Sequence, residues 1–135
     1  MKLAFVDSNV FLRFFTRDDE VQLERSDRLF KGAAAGTVSL VTGPPVLFEV
    51  AWVLGSFYKL EKREILDVLD RILALSGLEL TDRKLVEEAV RLARSSGQRF
   101  PDAYIAASAQ ACRTDGVATF NREDFEKLGA PIFDF

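Results

Sequence analysis

Short β-prone runs alternate with helical runs along almost the whole chain, and this order constrains the fold more than any other feature. The predicted strands are 2–7, 38–41, 78–81, 116–120 and 131–135. The predicted helices are one that begins with 10–15 and is capped by Ser8 or Asn9, then 20–36, 46–59, 62–77, 82–97, 101–113 and 122–129. Strands separated by helices pair in parallel, with helices on both faces of the sheet. The sequence therefore predicts an α/β fold with three layers, in which helices flank a central, mainly parallel sheet.

The length of 135 residues is typical of one domain, so we expect a single domain over 1–135. The apolar stretch near the N-terminus is too short for a secretory signal. No apolar run reaches transmembrane length. We expect a cytoplasmic protein that does not enter a membrane.

Two absences narrow the possible chemistry. The chain has no histidine, which excludes imidazole acid–base catalysis, Ser-His-Asp hydrolysis and histidine-ligated zinc. Its single cysteine, Cys112, can form neither an internal disulfide nor a cysteine-built zinc site. A hydrolase built from this chain must therefore use carboxylates, and these favour a hard, oxygen-preferring metal ion.

One carboxylate interrupts an apolar run, "VLFEVAWVL", at residues 46–54. In a helix, Glu49 has Pro45 and Val46 one turn before it and Trp52 and Val53 one turn after it. This pattern predicts that Glu49 faces the core, where an unpaired ionised carboxylate is costly. A cation that shares its site would explain why the charge is kept.

Further acidic residues lie close to predicted strand ends, where parallel sheets form their sites. The acidic candidates are Asp7, Glu49, Asp102 and Asp124, with the amide of Asn121 beside the last of them. Carboxylates that gather at one edge of a sheet raise one another's pKa unless a cation joins them. The arrangement predicts a site for Mg²⁺ or Mn²⁺.

Each candidate also has a structural explanation that needs no ligand. Asp7 could cap the next helix or form an Asx-turn. Asp102 and Asp124 could complement helix dipoles, and Glu49 could pair with an arginine. Ordinary roles as caps or turn residues also fit two polar candidates near the acids, Asn9 and Thr119.

Four segments occur in an order that resembles the acidic motifs of PIN-domain nucleases, especially VapC-type toxins of toxin–antitoxin modules. The segments are "FVDSNVFLRFF", "VLFEVAWVL", "FPDAYIAASA" and "VATFNREDF". This resemblance spans nearly the whole chain. It implies a PIN-like fold and a Mg²⁺- or Mn²⁺-dependent endoribonuclease, often a homodimer, that a small antitoxin protein holds inactive.

The resemblance also assigns roles to individual residues. Asp7, Glu49 and Asp102 match the three core acids, and Asn9 matches the polar residue of the first motif. Thr119 matches the hydroxyl residue that opens the last motif.

The chain departs from the family pattern at one position. Many relatives have an aspartate where this chain has Asn121, whose neutral amide adds no charge. Asp124, three residues later, could supply the fourth carboxylate, directly or through water.

The net charge of −3 argues against binding a polyanion unless a divalent ion offsets the local negative charge. Basic residues within or beside the motifs are candidates for RNA contacts: Arg13, Arg17, Lys59, Lys62, Arg63 and Arg99. An antitoxin could instead occupy a groove lined by Phe11, Phe14 and Phe15, although these rings could equally be core.

Rival interpretations remain open on the sequence. An inactive PIN-like binding module is one, with Asn121 marking a lost acid, and a nuclease of RNA processing is another. A haloacid-dehalogenase-type phosphatase would need a second acid where this chain has Asn9.

Overall fold

A three-stranded parallel sheet organises the first part of the protein, whose computed structural model describes residues 2–135. The strands are β1 (Lys2–Phe5), β2 (Val38–Thr42) and β3 (Leu78–Leu80), and they lie in the order β1-β2-β3. Lys2 pairs with Val38 and Leu40 pairs with Leu78, both in parallel. The predicted α/β fold is confirmed.

The chain forms two compact units, of which the first ends at Asp82 and the second comprises Arg83–Phe135. The helices of the first unit are α1 (Ser8–Thr16), α2 (Glu20–Ala35), α3 (Pro44–Ser56) and α4 (Lys62–Leu73). Helix α1 is capped by Asp7, so the prediction of Ser8 or Asn9 as its cap is wrong. Strand β1 ends two residues before Asp7, which leaves this residue free to take the extended conformation of a cap.

Hydrogen bonds at the carboxyl ends of β1 and β2 fix where the next helices begin. The Val6 N–H donates to the Val41 carbonyl at 2.8 Å. The fully buried Thr42 donates its hydroxyl to the Val6 carbonyl at 2.9 Å. Because the two strands are parallel and paired here, Asp7 and the start of α3 at Pro44 leave the same edge of the sheet.

Aromatic and aliphatic side chains fill the core of the first unit. The ring of Phe11 on α1 is completely buried and stacks on Phe30 of α2, with ring centroids 5.6 Å apart. Burying one such side chain contributes about 1.5–3 kcal/mol. Other members of this core are Leu40, Leu47, Leu54, Leu69 and Ile72. The burial of Phe11 also rules out the predicted role of its ring in lining an open groove.

Gly77 makes a close approach that no other residue type could make. Its φ is +76°, and a Cβ at this position would lie 2.5 Å from the carbonyl oxygen of Ala33 on α2. The Gly77 carbonyl accepts a hydrogen bond from the Leu40 N–H at 3.0 Å. A glycine is therefore required where the chain enters β3.

The second unit is mainly helical, with α5 (Arg83–Ser96), α6 (Phe100–Ala111) and α7 (Arg122–Lys127). Small buried residues lie between α5 and α6 and let the two helices pack closely: Ala89, Ala93, Ala103, Ala106 and Ala107. Instead of the strands predicted at 116–120 and 131–135, these segments share one parallel bridge between Val117 and Ile132. Most of their residues are exposed, so little burial supports a longer pairing.

None of the helices within residues 2–135 is both long enough and apolar enough to cross a membrane.

Candidate functional site

Asp7 stands exposed at the start of α1. Its Oδ1 accepts a hydrogen bond from the Ser8 N–H at 2.8 Å, which fixes the orientation of the carboxylate. Its Oδ2 has no protein partner among residues 2–135. Asn9 lies in the first turn of the same helix and is also exposed. Asp7 therefore caps helix α1, which is one of the structural roles expected for it. Its second carboxylate oxygen is still available to a ligand.

Glu49 differs from its prediction. It lies on an exposed face of α3 with Pro45 and Trp52, and the Trp52 side chain is 70% exposed. The buried face of this helix instead carries Val46, Leu47 and Val50. The expectation that Glu49 faces the core is wrong. Nearly every residue around Glu49 is apolar, so the sequence could not show which side of the helix is buried. An exposed carboxylate needs no cation to be tolerated, so burial does not argue for a metal here.

Asp102 occupies the first turn of α6, directly after Pro101. Its side chain is only 16% exposed, and its Oδ2 lies 3.5 Å from Nη2 of Arg99. The Arg99 side chain is 68% exposed, so the ion pair is solvated and contributes at most about 1 kcal/mol. The helix N-terminus adds partial positive charge near this carboxylate.

The last motif forms a short turn before α7. The Thr119 hydroxyl accepts a hydrogen bond from the Asn121 N–H at 3.0 Å, which orders the turn. Asn121 is the N-cap residue of α7, but its side chain makes no capping hydrogen bond. Asp124 lies half-buried in the first turn of the helix. Thr119 and Asn121 are thus brought together, and the Asn121 amide remains available to a ligand.

The donor types fit a hard divalent ion, since they are carboxylate, amide and hydroxyl oxygens. Within the described range, 2–135, no group of three or more His, Cys, Asp or Glu side chains is arranged to hold a metal ion. Donor chemistry, rather than a preformed cluster, is what supports a metal at these residues.

A polar cleft of about 370 Å³ lies between α1 and α2 and is partly lined by residues of the first motif; we call it the α1–α2 cleft. The residues that line it are Asn9, Val10, Arg13, Gln22, Arg25, Ser26 and Leu29. Arg13 donates from Nε to the Gln22 side-chain oxygen at 2.6 Å and from Nη1 to Asp18 at 3.0 Å. Arg13 was a candidate from the sequence, whereas Arg25 and Gln22 were not, because only the packing of α2 against α1 brings these two residues to the cleft.

A hydrogen-bond network holds the Arg13 guanidinium from outside the cleft. The Tyr58 hydroxyl donates to Asp18 at 2.7 Å, and this bond is the largest cause that lowers the pKa of Asp18. Hydrogen bonds from Thr16 and Arg13 to Asp18 also lower this pKa, against the opposing effect of desolvation. The bond to Asp18 in turn raises the pKa of Arg13. Sequence reasoning missed Asp18 and Tyr58, whose signal was weak because they lie 40 residues apart.

Replacing Tyr58 with phenylalanine is expected to raise the pKa of Asp18 towards its ordinary value, because the strongest hydrogen bond to the carboxylate is lost. In the wild type the folded-state pKa is depressed. The associated stabilisation is therefore present above the unfolded pKa of about 3.9 and is lost as pH falls through the folded pKa. An NMR titration of the Asp18 carboxyl carbon measures the change, with Tyr104→Phe as the matched control. An unchanged titration midpoint in Tyr58→Phe would contradict the assigned cause.

Comparison with known families identifies the class of protein. The model of the PIN domain family matches residues 4–131, which includes all four predicted motifs. The chain therefore belongs to the PIN domain family, and the predicted resemblance to that family is confirmed.

The individual proteins that this chain resembles are named VapC or VapBC. The chain is 26% identical over 127 residues to the VapC ribonuclease of Aquifex aeolicus (strain VF5), covering 94% of this chain and 93% of that protein. Among solved structures, the sarcin–ricin loop cleaving toxin VapC20 of Mycobacterium tuberculosis has a TM-score of 0.43 at 18% identity, covering 91% of this chain and 93% of that one. VapBC2 from Rickettsia felis, bound to a DNA fragment from its promoter, has a TM-score of 0.38 at 15% identity, with 97% of each chain covered.

Proposed function

We propose that this protein is a metal-dependent endoribonuclease and the toxin of a VapBC-type toxin–antitoxin pair. The observation that carries the proposal is the PIN family match over residues 4–131. A VapC ribonuclease that aligns with this chain over nearly the full length of both proteins supports it. Its substrate is RNA, and its partners are a small antitoxin protein and a second copy of the chain in a homodimer. It acts in the cytoplasm.

The proposed ligands of Mg²⁺ or Mn²⁺ are Asp7, Glu49, Asp102 and Asp124, supported by Asn9, Thr119 and Asn121. When bound, such an ion supplies Lewis-acid chemistry: it neutralises phosphate charge and lowers the pKa of a water molecule. When bound, the ion would offset the negative charge of the carboxylates that hold it.

The chain's own residues orient these ligands and the water. The Ser8 N–H binds Oδ1 of Asp7, which leaves Oδ2 without a partner among residues 2–135. The Thr119 hydroxyl orders the turn that presents the Asn121 amide oxygen, a neutral donor. Glu49 is exposed, so its carboxylate is accessible to the ion. The products expected for this family are a 5′-phosphate and a 3′-hydroxyl.

The test of the proposal is cleavage of a mixed, structured RNA by purified protein with Mg²⁺ or Mn²⁺. We expect EDTA to abolish cleavage and added Mn²⁺ to restore it, because the ion supplies the Lewis acidity that lowers the pKa of the attacking water. Cleavage that persists in EDTA would contradict metal dependence.

Calorimetric titration with Mn²⁺ separates an active nuclease from an inactive PIN-like binding module, the alternative that Asn121 favours. We expect Mn²⁺ binding that weakens in Asp124→Asn but not in Glu123→Gln. Glu123 is the matched control because it is the neighbouring acid on α7, is 84% exposed and pairs with Lys127. No Mn²⁺ binding and no cleavage would favour the binding module, and equal binding by both variants would remove Asp124 from the ligand set.

Growth of a bacterial host separates a toxin from a nuclease of RNA processing. Induced expression of a toxin stops growth, and co-expression of a small reading frame adjacent to its gene restores it. Expression that leaves growth unchanged would favour RNA processing.

A further inference from the structure

The α1–α2 cleft combines two arginines with an absence of acidic lining. None of its seven lining residues is an aspartate or glutamate, although the whole chain has more acidic than basic residues. Its polar groups are two guanidiniums, the Asn9 and Gln22 amides and the Ser26 hydroxyl. Such a lining attracts an anion and offers it several hydrogen-bond donors.

The Arg13 guanidinium is held ready for a ligand. Its bonds to Gln22 and Asp18 use two of its five N–H donors and fix its plane. The other three have no protein acceptor among residues 2–135. Because Tyr58 and Thr16 bind Asp18 in turn, little side-chain entropy remains to be lost when a ligand binds.

Arg25 is the second cation of the cleft, and nothing in the described part of the chain neutralises it. No hydrogen bond or ion pair within residues 2–135 involves its guanidinium. Arg28, one turn later on the same helix, instead pairs with Glu24 at 3.3 Å. An unpaired arginine that faces a polar cleft has its full charge available to a ligand.

The position of the cleft relates it to the proposed catalytic residues. The cleft begins at Asn9, two residues after Asp7, and continues along α1 to Arg13. Residues four apart on a helix lie on one face, about 6 Å apart along its axis. An anion bound at Arg13 would therefore lie about one helical turn from Asn9.

We propose that the α1–α2 cleft binds a backbone phosphate of the RNA substrate, with Arg13 and Arg25 as its two charged contacts. This inference rests on the proposed function, since it names a substrate-binding subsite of the same nuclease. Guanidinium groups suit phosphate because their planar N–H pairs match two of its oxygens. The cleft fixes the position of the strand and carries no base specificity, because every nucleotide has the same phosphate.

The test is filter binding of a short, radiolabelled single-stranded RNA in EDTA, with salt varied between about 50 and 200 mM. The variants are Arg25→Gln and the matched control Arg28→Gln, which removes an equal charge from the same helix. We expect Arg25→Gln to weaken binding about tenfold at low salt and to reduce the slope of log K against log salt by about one. Arg28→Gln should retain wild-type affinity and slope. Since Arg25 has no protein partner, its replacement should leave thermal stability unchanged.

The possible results separate this inference from the proposed function. Equal RNA binding by the two variants, with a wild type that cleaves and binds RNA, would overturn the cleft assignment and leave the nuclease intact. A wild type that neither cleaves nor binds RNA would overturn both. If Arg25→Gln bound RNA normally but lost binding to polyglutamate, the cleft would be a site for an acidic polypeptide and the RNA assignment would be wrong.

Discussion

Replacing Asp7 with asparagine is expected to lower the rate of RNA cleavage by more than about 100-fold while the fold stays intact. Loss of a residue that only supports a metal ligand lowers metal affinity or activity by about 10- to 100-fold, so loss of a ligand itself should lower activity further. Asparagine can still accept the hydrogen bond from the Ser8 N–H that Asp7 accepts at 2.8 Å. The measurement is cleavage under saturating Mn²⁺ together with a thermal melt of each protein.

Two further variants separate the proposed catalytic role of Asp7 from its structural role as a helix cap. Asp7→Ala loses both the charge and the cap, so we expect it to lose activity and also about 1 kcal/mol of stability. Asp115→Asn removes an exposed acid outside the motifs and should change neither property. A folded Asp7→Asn protein with wild-type cleavage would contradict the catalytic assignment, and one that melts early would show that Asp7 is mainly structural.

Replacing Phe11 with alanine is expected to lower the free energy of unfolding by about 3–5 kcal/mol, the largest effect on stability that we predict. Phe11 is completely buried and stacks on Phe30, so truncation removes the contact and leaves a cavity between α1 and α2. A domain of this size is stable by only about 5–15 kcal/mol, so the variant would lose a large part of its stability. Urea unfolding of the two proteins measures the difference.

Phe57→Ala is the matched control for that experiment. Phe57 belongs to the same unit, but its side chain is 72% exposed. We expect its truncation to change the free energy of unfolding by less than about 0.5 kcal/mol, because little buried area is lost. Equal effects of the two substitutions would contradict the burial that the structure assigns to Phe11.

The element order could be predicted because each helix and strand has local signals. Glycines follow α2 and precede β3, prolines begin α3, and the period of apolar residues marks α4 and α5. The segments at 116–120 and 131–135 have the composition of strands, yet they form one bridge. Pairing depends on what each segment packs against, and composition does not contain that information.

The candidate site was predictable only in part, for a related reason. Asp7 is the end of a β-prone run and the start of a helix, so its place near the sheet edge follows from the sequence. Glu49 does not follow in this way, because α3 is apolar on most sides and periodicity cannot choose its buried face. Arg25 reaches the α1–α2 cleft only through the packing of two helices, a tertiary property.

The exposed face of α3 gives the protein a built-in optical probe. Trp52 is the only tryptophan of the chain, is largely exposed and lies one turn after Glu49 on the same face of the helix. Its emission therefore reports on this face alone, without a label. Under the proposed function, paramagnetic Mn²⁺ held by Glu49 would quench that emission and Mg²⁺ would not, so the unmodified protein would report its Mn²⁺ occupancy during turnover.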